Sequence, residues 1–404
     1  RRFSIRYPNE ELQAARPLLT TSIYDRQKQA GAQFGAAFGL EVPQWFAPDG
    51  TADVFSWRRS VDFDHVGNEA KAVRNAVGLG DISGFAKYEV SGSGAAAWLD
   101  QLLAAAIPPI GRMTLAPMLK DDGKIIGEFS LARLGDTRFL IIGSGIAESC
   151  HMRWFLSHLP DDGSVQVKSL GLDLVGLTIA GPKAREVLQK CSKTDVSHDA
   201  MRFMAVREMD VGMTPAIVGR VSYSGDLGYE IWVKPASLAR LYDDLMAAGS
   251  DFDIRPFGSR ALNALRLEKN YGSWGREYRP LYGPVEVGLD RFVAYDKPAD
   301  FIGKAAALAE RDNGGCKRLI SLAVAAVDAD VIGDEPVSID GAVVGWVTSG
   351  GFAHASKTSV ALAMVPKEFA LRNDGWTVEL LGQSLKASLI NKPLFDANAS
   401  RMRS

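Results

Sequence analysis

Two periodicities alternate along this chain, and the places where one gives way to the other mark its elements. A helical spacing of apolar positions from Ile23 to about Phe38 predicts a helix, after which Pro43 and Pro48 bracket an aromatic loop holding Trp45 and Phe46. Asn68 to Val77 again reads as a helix, with Asn68 as N-cap and Glu69 in the first turn. Lys87–Val90 is a short strand, Ala95–Ala104 a helix, and residues 124–143 two strands joined by the turn Leu134-Gly-Asp-Thr137. Helix 147–158, strand 165–170, strand 174–180 and helix 182–190 then alternate. Strands around 214–233 and helices 236–248 and 258–269 follow.

Past the helix 303–311 and the glycine joint Asn313-Gly-Gly315, the pattern changes to short strands at 317–325, 336–340, 342–348, 358–364, 376–381 and 384–390. Regular short strands separated by glycine turns predict a small barrel or sandwich. The expected organisation is α+β: a connector over residues 1–17, a mixed α/β region over 18–315, and an all-β domain over 316–404.

Composition narrows the function classes. With 404 residues and 47% of them hydrophobic, the chain is long enough for two or three packed domains. Lys plus Arg number 46 against 48 Asp plus Glu, so no overall charge points to nucleic acid or an anionic membrane surface. Cys150, Cys191 and Cys316 lie far apart, and the five histidines show no ligand spacing, which argues against a disulfide framework and assigns no metal. A reducing compartment is expected, the cytoplasm of a bacterium or the mitochondrial matrix of a eukaryote. No stretch has the apolar length of a signal peptide or membrane span. The first residue is Arg1 rather than Met, which reads as a processed chain or a piece of something longer.

Three segments carry candidate chemistry. In Val221-Ser-Tyr-Ser-Gly-Asp-Leu-Gly-Tyr-Glu-Ile231, Tyr223 and Glu230 are expected to face each other across a tight bend. A carboxylate there can accept two parallel N–H bonds from an aminopyrimidinone edge, as in a pterin; the run serves equally well as an ordinary hairpin with Tyr223 packed and Glu230 solvated. In Asp121-Asp-Gly-Lys-Ile-Ile-Gly-Glu-Phe-Ser-Leu131, Ile125, Gly127, Phe129 and Leu131 share one strand face, leaving Glu128 on the other with Ile126 and Ser130. In Gly258-Ser-Arg-Ala-Leu-Asn-Ala-Leu-Arg-Leu-Glu268, Arg260 and Arg266 are six apart and so lie on different stripes. Gly92-Ser-Gly94-Ala-Ala-Ala97 fits a dinucleotide pattern, but the strand before it alternates polar and apolar residues, whereas a nucleotide-binding first strand is apolar on both faces.

These segments, in this order, resemble the aminomethyltransferase family typified by the glycine-cleavage T-protein. Its signature Gly-Tyr-Thr-Gly-Glu-x-Gly-Tyr-Glu is matched with Ser222, Ser224 and Asp226 as replacements, and its Gly-x-Arg-Asp-x-Leu-Arg-Leu-Glu by residues 258–268. Gly181-Pro182 and Gly345-Trp-Val-Thr-Ser-Gly350, with His354 nearby, also match. Where the family reads Gly-Gly-x-x-Asp-Asp-Leu, this chain has Gly127-Glu128, so the catalytic carboxylate role falls on Glu128; Gly127 is expected to give the longer side chain room. Ser273-Trp274-Gly275 stands in place of Leu-Tyr-Gly. The segments 16–25, 30–35, 45–47, 85–90 and 350–354 are more similar to the folate half of dimethylglycine and sarcosine dehydrogenases.

The resemblance implies a multi-lobed folate-binding region with a ferredoxin-like lobe and a C-terminal barrel. It implies tetrahydrofolate as cofactor, with Tyr223 and Glu230 on the pterin, Trp274 lining the slot, and Arg266 near the tail unless an internal ion pair claims it. It further implies capture of a one-carbon unit from an N-methyl amine as methylene-tetrahydrofolate, with any FAD on a missing domain or a flavoprotein partner. The rivals are a demethylase of the same fold that produces methyl-tetrahydrofolate, and a folate-binding module without catalysis.

Overall fold

The computed structural model describes residues 6–47 and 50–404. Two mixed lobes and a barrel surround a pair of central helices. In the first lobe a five-stranded antiparallel sheet runs in the order Met113–Leu119, Ile125–Arg133, Arg138–Gly143, Ala86–Ser91, Gln166–Ser169. Helices Ala95–Leu102 and Glu148–Ser157 cover it over a core that includes Tyr88, Leu99, Phe129, Phe139 and Phe155. The second lobe is a six-stranded sheet: Val206–Val211, Thr214–Gly219, Gly228–Val233, Val175–Ala180, Gly78–Asp81, Arg255–Pro256. Helices Ala184–Cys191 and Leu238–Gly249 bury their apolar stripes against it.

The C-terminal strands close into a barrel in the order Lys317–Val324, Thr358–Pro366, Ala342–Ala353, Pro336–Ile339, Trp376–Leu380, Gln383–Leu389. Its interior holds Leu322, Val337, Val347, Ala361, Ala363, Trp376 and Val378. Closure leaves no free edge, which is how so short a β segment satisfies its backbone. The strand Ala86–Ser91 pairs antiparallel with both of its neighbours. The glycines after it therefore do not sit in the parallel β-α-β unit that dinucleotide binding requires.

The largest departure from the sequence reading is at the N-terminus. Ile23–Phe38 is a single turn of helix, Tyr24–Gln29, followed by a hairpin of Ala32–Ala37 and Leu40–Phe46. Phe38 and Gly39 both have positive φ, 52° and 88°, the geometry of a two-residue hairpin turn, and Gly31 at 89° ends the helix. Trp45 and Phe46 accordingly lie on a strand rather than in a loop; Pro43 sits at a register shift, and Pro48 falls outside the described residues. The next helix starts earlier than expected, at Asp62, and runs to Asn75, so Asn68 is an exposed mid-helix residue and not a cap. Four further strands were not anticipated, Gly78–Asp81, Met113–Leu119, Val206–Val211 and Arg255–Pro256; Met113–Leu119 contains Pro117, which is tolerated because the strand is a sheet edge.

The central helices Asp62–Asn75 and Ser259–Glu268 pack through Val66, Ala70, Val73, Ala261 and Leu265 against Trp45. Glu69 reinforces the contact by accepting the N–H groups of Phe46 at 2.6 Å and Gly258 at 2.8 Å, so one carboxylate serves a strand end and a helix start together. At the end of the first helix, Arg74 is 4% exposed and reaches three segments. Its guanidinium donates to Glu268 (2.8 Å), Asp226 (2.9 Å) and the carbonyls of Ser224 (2.9 Å) and Leu265 (3.1 Å). Phe395 covers it at 3.6 Å.

Removing this guanidinium would strip Asp226 and Glu268, both essentially inaccessible, of a buried cationic partner, leaving Asp226 to Arg401 and Glu268 to the backbone N–H groups of Ala355 and Ser356. We expect Arg74→Leu to lower stability by about 3–5 kcal/mol, the range for breaking one side of a buried ion pair. Urea unfolding followed by tryptophan fluorescence measures it, and a loss below about 1 kcal/mol would contradict the clamp.

Candidate functional site

The Gly-Asp-x-Gly turn is built by its own side chains. Ser222 Oγ lies 2.7 Å from Ser224 Oγ and accepts the Ser224 N–H at 3.2 Å, while Ser224 Oγ accepts from Asp226 N at 3.3 Å. Gly225 takes φ +77°, with the stem of Lys269 packed where a side chain would stand. Beyond the turn, the strand Gly228–Val233 sets Glu230 opposite Gly219 on one neighbour and Thr178 on the other.

Glu230 and Tyr223 line one narrow slot with Thr178, Phe85, Phe257 and Leu262. Glu230 Oε2 is buried without a hydrogen-bond partner. Burial pushes its carboxyl up to about 7, against a weaker opposing pull from Trp232. That pull is not a formed bond, since the Trp232 indole N–H is itself unpartnered. The open space beside Glu230 is about 10 Å³, so admitting a ring requires its half-buried walls Phe85 and Leu262 to move. Across the slot, the Tyr223 hydroxyl donates to the Gly272 carbonyl at 2.6 Å.

Glu128 projects from the strand Ile125–Arg133, opposite Pro117, and makes no hydrogen bond or ion pair with the described residues. It keeps a partly accessible surface, yet its surroundings are dense enough that desolvation alone pushes it up to about 7. Burial raises the phenols of both Tyr223 and Tyr278, and the Glu128 charge adds to the rise in each, which places the strand carboxylate and the turn tyrosine in one electrostatic neighbourhood. The room at Gly127 has a different use from the one expected. The Phe129 ring and Met118 fill the position its Cβ would take, so this glycine accommodates a core aromatic on the face away from Glu128.

Arg266 is 4% exposed and engaged internally. It donates to Asn263 Oδ1 at 3.0 Å and the Tyr271 carbonyl at 2.9 Å, and pairs with Glu277 at 3.4 Å. Glu277, fully buried, also accepts from Ser273 N at 2.9 Å and from Ser349 Oγ of the barrel at 2.5 Å. The arrangement is the internal ion pair, with its charge neutralised inside the protein. Trp274 is half-buried, with its ring 5.4 Å from that of His151. Burial pushes His151 down to about 4, so it is neutral. Its Nε2 faces the Ile126 carbonyl at 3.1 Å and must carry the proton, leaving Nδ1 to accept from Tyr88. Trp274 thus leans on the strand that carries Glu128.

A larger cleft of about 310 Å³ opens elsewhere, between the starts of the two central helices and the barrel strand ending at Ala353; Phe63, Phe352, His354 and Asn263 are among its walls. Its charges are already spoken for: Arg260 pairs with Asp53 at 2.6 Å and Asp62 at 2.8 Å, and Arg59 with Asp330 at 2.7 Å. The narrow slot, by contrast, holds a carboxylate oxygen with no partner. Sequence reading missed Arg74 and Glu277. The first had a signal, an arginine on the stripe of Val66, Ala70 and Val73; the second had none, since its partners come from two domains.

Comparison with known proteins agrees with this geometry. Residues 23–297 match the GCVT N-terminal domain, and residues 317–396 match the glycine cleavage T-protein C-terminal barrel domain. The chain therefore belongs to the aminomethyltransferase (glycine-cleavage T-protein) family, whose members bind tetrahydrofolate. It is 35% identical over 400 residues to human mitochondrial dimethylglycine dehydrogenase, covering 98% of this chain and 46% of that protein. It is 29% identical over 406 residues to the formaldehyde-forming 4-methylaminobutanoate oxidase of Paenarthrobacter nicotinovorans, covering 100% and 49%. The chain spans about half the length of these two relatives. The crystal structure of aminomethyltransferase T from Bartonella henselae shares the fold, with a TM-score of 0.81 at 24% identity over 94% of this chain and 99% of that one. Among the described residues no helix is long and apolar enough to cross a membrane.

Because Glu128 and Glu230 are held above the ordinary carboxylate range in the folded chain, their stabilising contribution is present at low pH and is lost as pH rises towards 7. We expect the melting temperature of the ligand-free chain to fall by a few degrees between about pH 5 and pH 8, and Glu230→Gln to flatten part of that fall. Calorimetric scans of both proteins across that range check the sign; an identical pH profile would show that Glu230 ionises as freely as in the unfolded chain.

Proposed function

We propose that this chain is a tetrahydrofolate-dependent one-carbon transferase that captures the carbon released from an N-methyl amine of the dimethylglycine or sarcosine type. The observation that carries the reading is the buried Glu230 oxygen without a partner, facing Tyr223 in a slot. An aminopyrimidinone edge supplies the N–H donors that oxygen lacks, and bound to them the carboxylate is held charged. The relatives named as a dimethylglycine dehydrogenase and a methylaminobutanoate oxidase support a methylated amine as the source of the carbon.

In this reading tetrahydrofolate supplies the nucleophilic nitrogens that accept the one-carbon unit. Glu230 and Tyr223 orient the pterin, and Trp274 offers an aromatic wall beside it. Glu128 stands at the reacting end with a carboxyl near 7, suited to orient a weakly basic arylamine and to take or return its proton at working pH. Arg266, engaged by Glu277, serves the slot by holding its wall; a direct contact with the folate tail would require that pair to open. Residues 1–17 act as a connector, residues 18–315 as the folate-binding region and 316–404 as the barrel domain. The oxidising flavin, FAD, belongs to a separate domain or partner subunit, and the working compartment is the bacterial cytoplasm or the mitochondrial matrix.

Anaerobic calorimetric titration with tetrahydrofolate, followed by product analysis with an iminium donor, tests the proposal. We expect one-to-one binding and methylene-tetrahydrofolate as product. Glu230→Gln should weaken binding about tenfold or more, because the amide presents a donor where the ring also donates. Glu128→Gln should lower turnover by about 10²-fold with little change in affinity. Methyl-tetrahydrofolate as the product would replace the amine reading with demethylation, and full turnover of Glu128→Gln would remove the catalytic assignment.

A further inference from the structure

The segment 395–404 lies outside the lining of the narrow slot, yet it meets the turn that carries Tyr223 and Glu230 directly and through its neighbours. The direct contact is at Asp226, fully buried within the turn. Asp226 Oδ2 accepts from Arg74 at 2.9 Å. Its Oδ1 lies 2.9 Å from Arg401 Nη2, the same nitrogen that donates to the Arg74 carbonyl at 2.6 Å. A second contact runs through Lys269, whose stem packs against Gly225 and whose Nζ donates to the Asp396 carbonyl at 2.7 Å. A third is at Arg220, just before the turn; its buried guanidinium donates to the Ser404 carbonyl, which also accepts from Arg185 at 2.6 Å. Asp396 fixes the short helix Ser400–Arg403 by accepting from Ser400 N at 2.9 Å and Arg401 N at 3.0 Å.

We infer that Arg401 is a positioning residue of the slot, acting through Asp226 on the turn that presents Tyr223 and Glu230. The inference rests on the folate reading for its consequence, and on the contacts of Asp226 for its mechanism. A carboxylate held at one oxygen can pivot about that bond, whereas cations on both oxygens fix its direction and that of the Cα that bears it. The nitrogen on the same Cα donates to Ser224 Oγ at 3.3 Å, and Ser224 Oγ lies 2.7 Å from Ser222 Oγ. Ser222, Tyr223 and Ser224 are consecutive walls of the slot, so the orientation of Asp226 reaches them through its own backbone. Burial raises the Asp226 carboxyl, and Arg74 and Arg401 both pull against that rise. Without Arg401, Oδ1 faces the interior with no cation beside it, and the turn is held from the Arg74 side alone.

Calorimetric titration of full-chain variants with tetrahydrofolate tests this. Arg401→Met should weaken binding about tenfold, and in an Asp226→Asn background the same change should cost less than about twofold, because the two groups act as one unit. Arg401→Lys should stay within about threefold of the unmodified chain, since a single nitrogen makes both contacts and an ammonium can replace it. Arg403 sits in the same short helix but in no ion pair among the described residues, so Arg403→Met should leave the affinity unchanged. In Arg401→Met the KM for folate should rise while kcat at saturating folate stays within about twofold, a split that a general packing defect does not produce. Unchanged affinity in Arg401→Met, an equal loss in Arg403→Met, or a full loss that persists in the Asp226→Asn background would overturn the inference and leave the folate slot intact. Absence of binding by the unmodified chain overturns both. Should Asp226→Asn fail to fold, Arg401→Lys decides: retention of binding supports the inference, and a loss equal to that of Arg401→Met counts against it.

Discussion

The site depends on one buried guanidinium. Arg74 arrives at the end of the Asp62 helix, and its planar fork meets Glu268 and Asp226 while two further donors find carbonyls. Those partners belong to the second central helix and to the turn between Tyr223 and Glu230. Glu268 passes the constraint on through its other oxygen, which accepts from the backbone of Ala355 and Ser356 at 3.0 Å each, just beyond a barrel strand. Asp226 meets Arg401 at 2.9 Å, near the end of the chain. A single charge thus sets the spacing of the turn, the helix and the barrel.

Such an arrangement has a physical logic. An unpaired carboxylate is costly to bury. Glu230 and Glu128 are tolerated because their surroundings are fixed by groups that are fully paired: Arg74 with its two acids, and Arg266 with Glu277. The barrel contributes through Ser349 to Glu277, so the all-β domain stabilises the slot wall without lining the narrow slot itself. Paired charges supply rigidity, and the Glu230 oxygen is left without a protein partner.

The same distinction separates the two cavities. The larger cleft has more room and more charged residues, yet each of its arginines already faces an aspartate. Volume alone would have selected it. The slot has little volume, and what marks it is the buried Glu230 oxygen that lacks a partner.

Local pattern carried most of the architecture. The strands of the barrel, the hairpin 125–143 and the helices near 148, 184, 238 and 259 follow from the spacing of apolar residues and the turns between them. The signature residues Tyr223 and Glu230 were legible because a tight turn between strands brings them to one place, whatever surrounds it. The N-terminal hairpin was not, since Phe38 and Gly39 form a turn by their backbone angles while the apolar spacing mimics a helix. Nor could sequence decide that Gly127 yields to Phe129 rather than to Glu128, or that Arg266 is closed off by Glu277. Those outcomes depend on which side chains arrive from distant segments, and hence on desolvation and pairing. The chain by itself determined most of its elements and its family; tertiary packing decided which of its charges are paired and which are left without a partner.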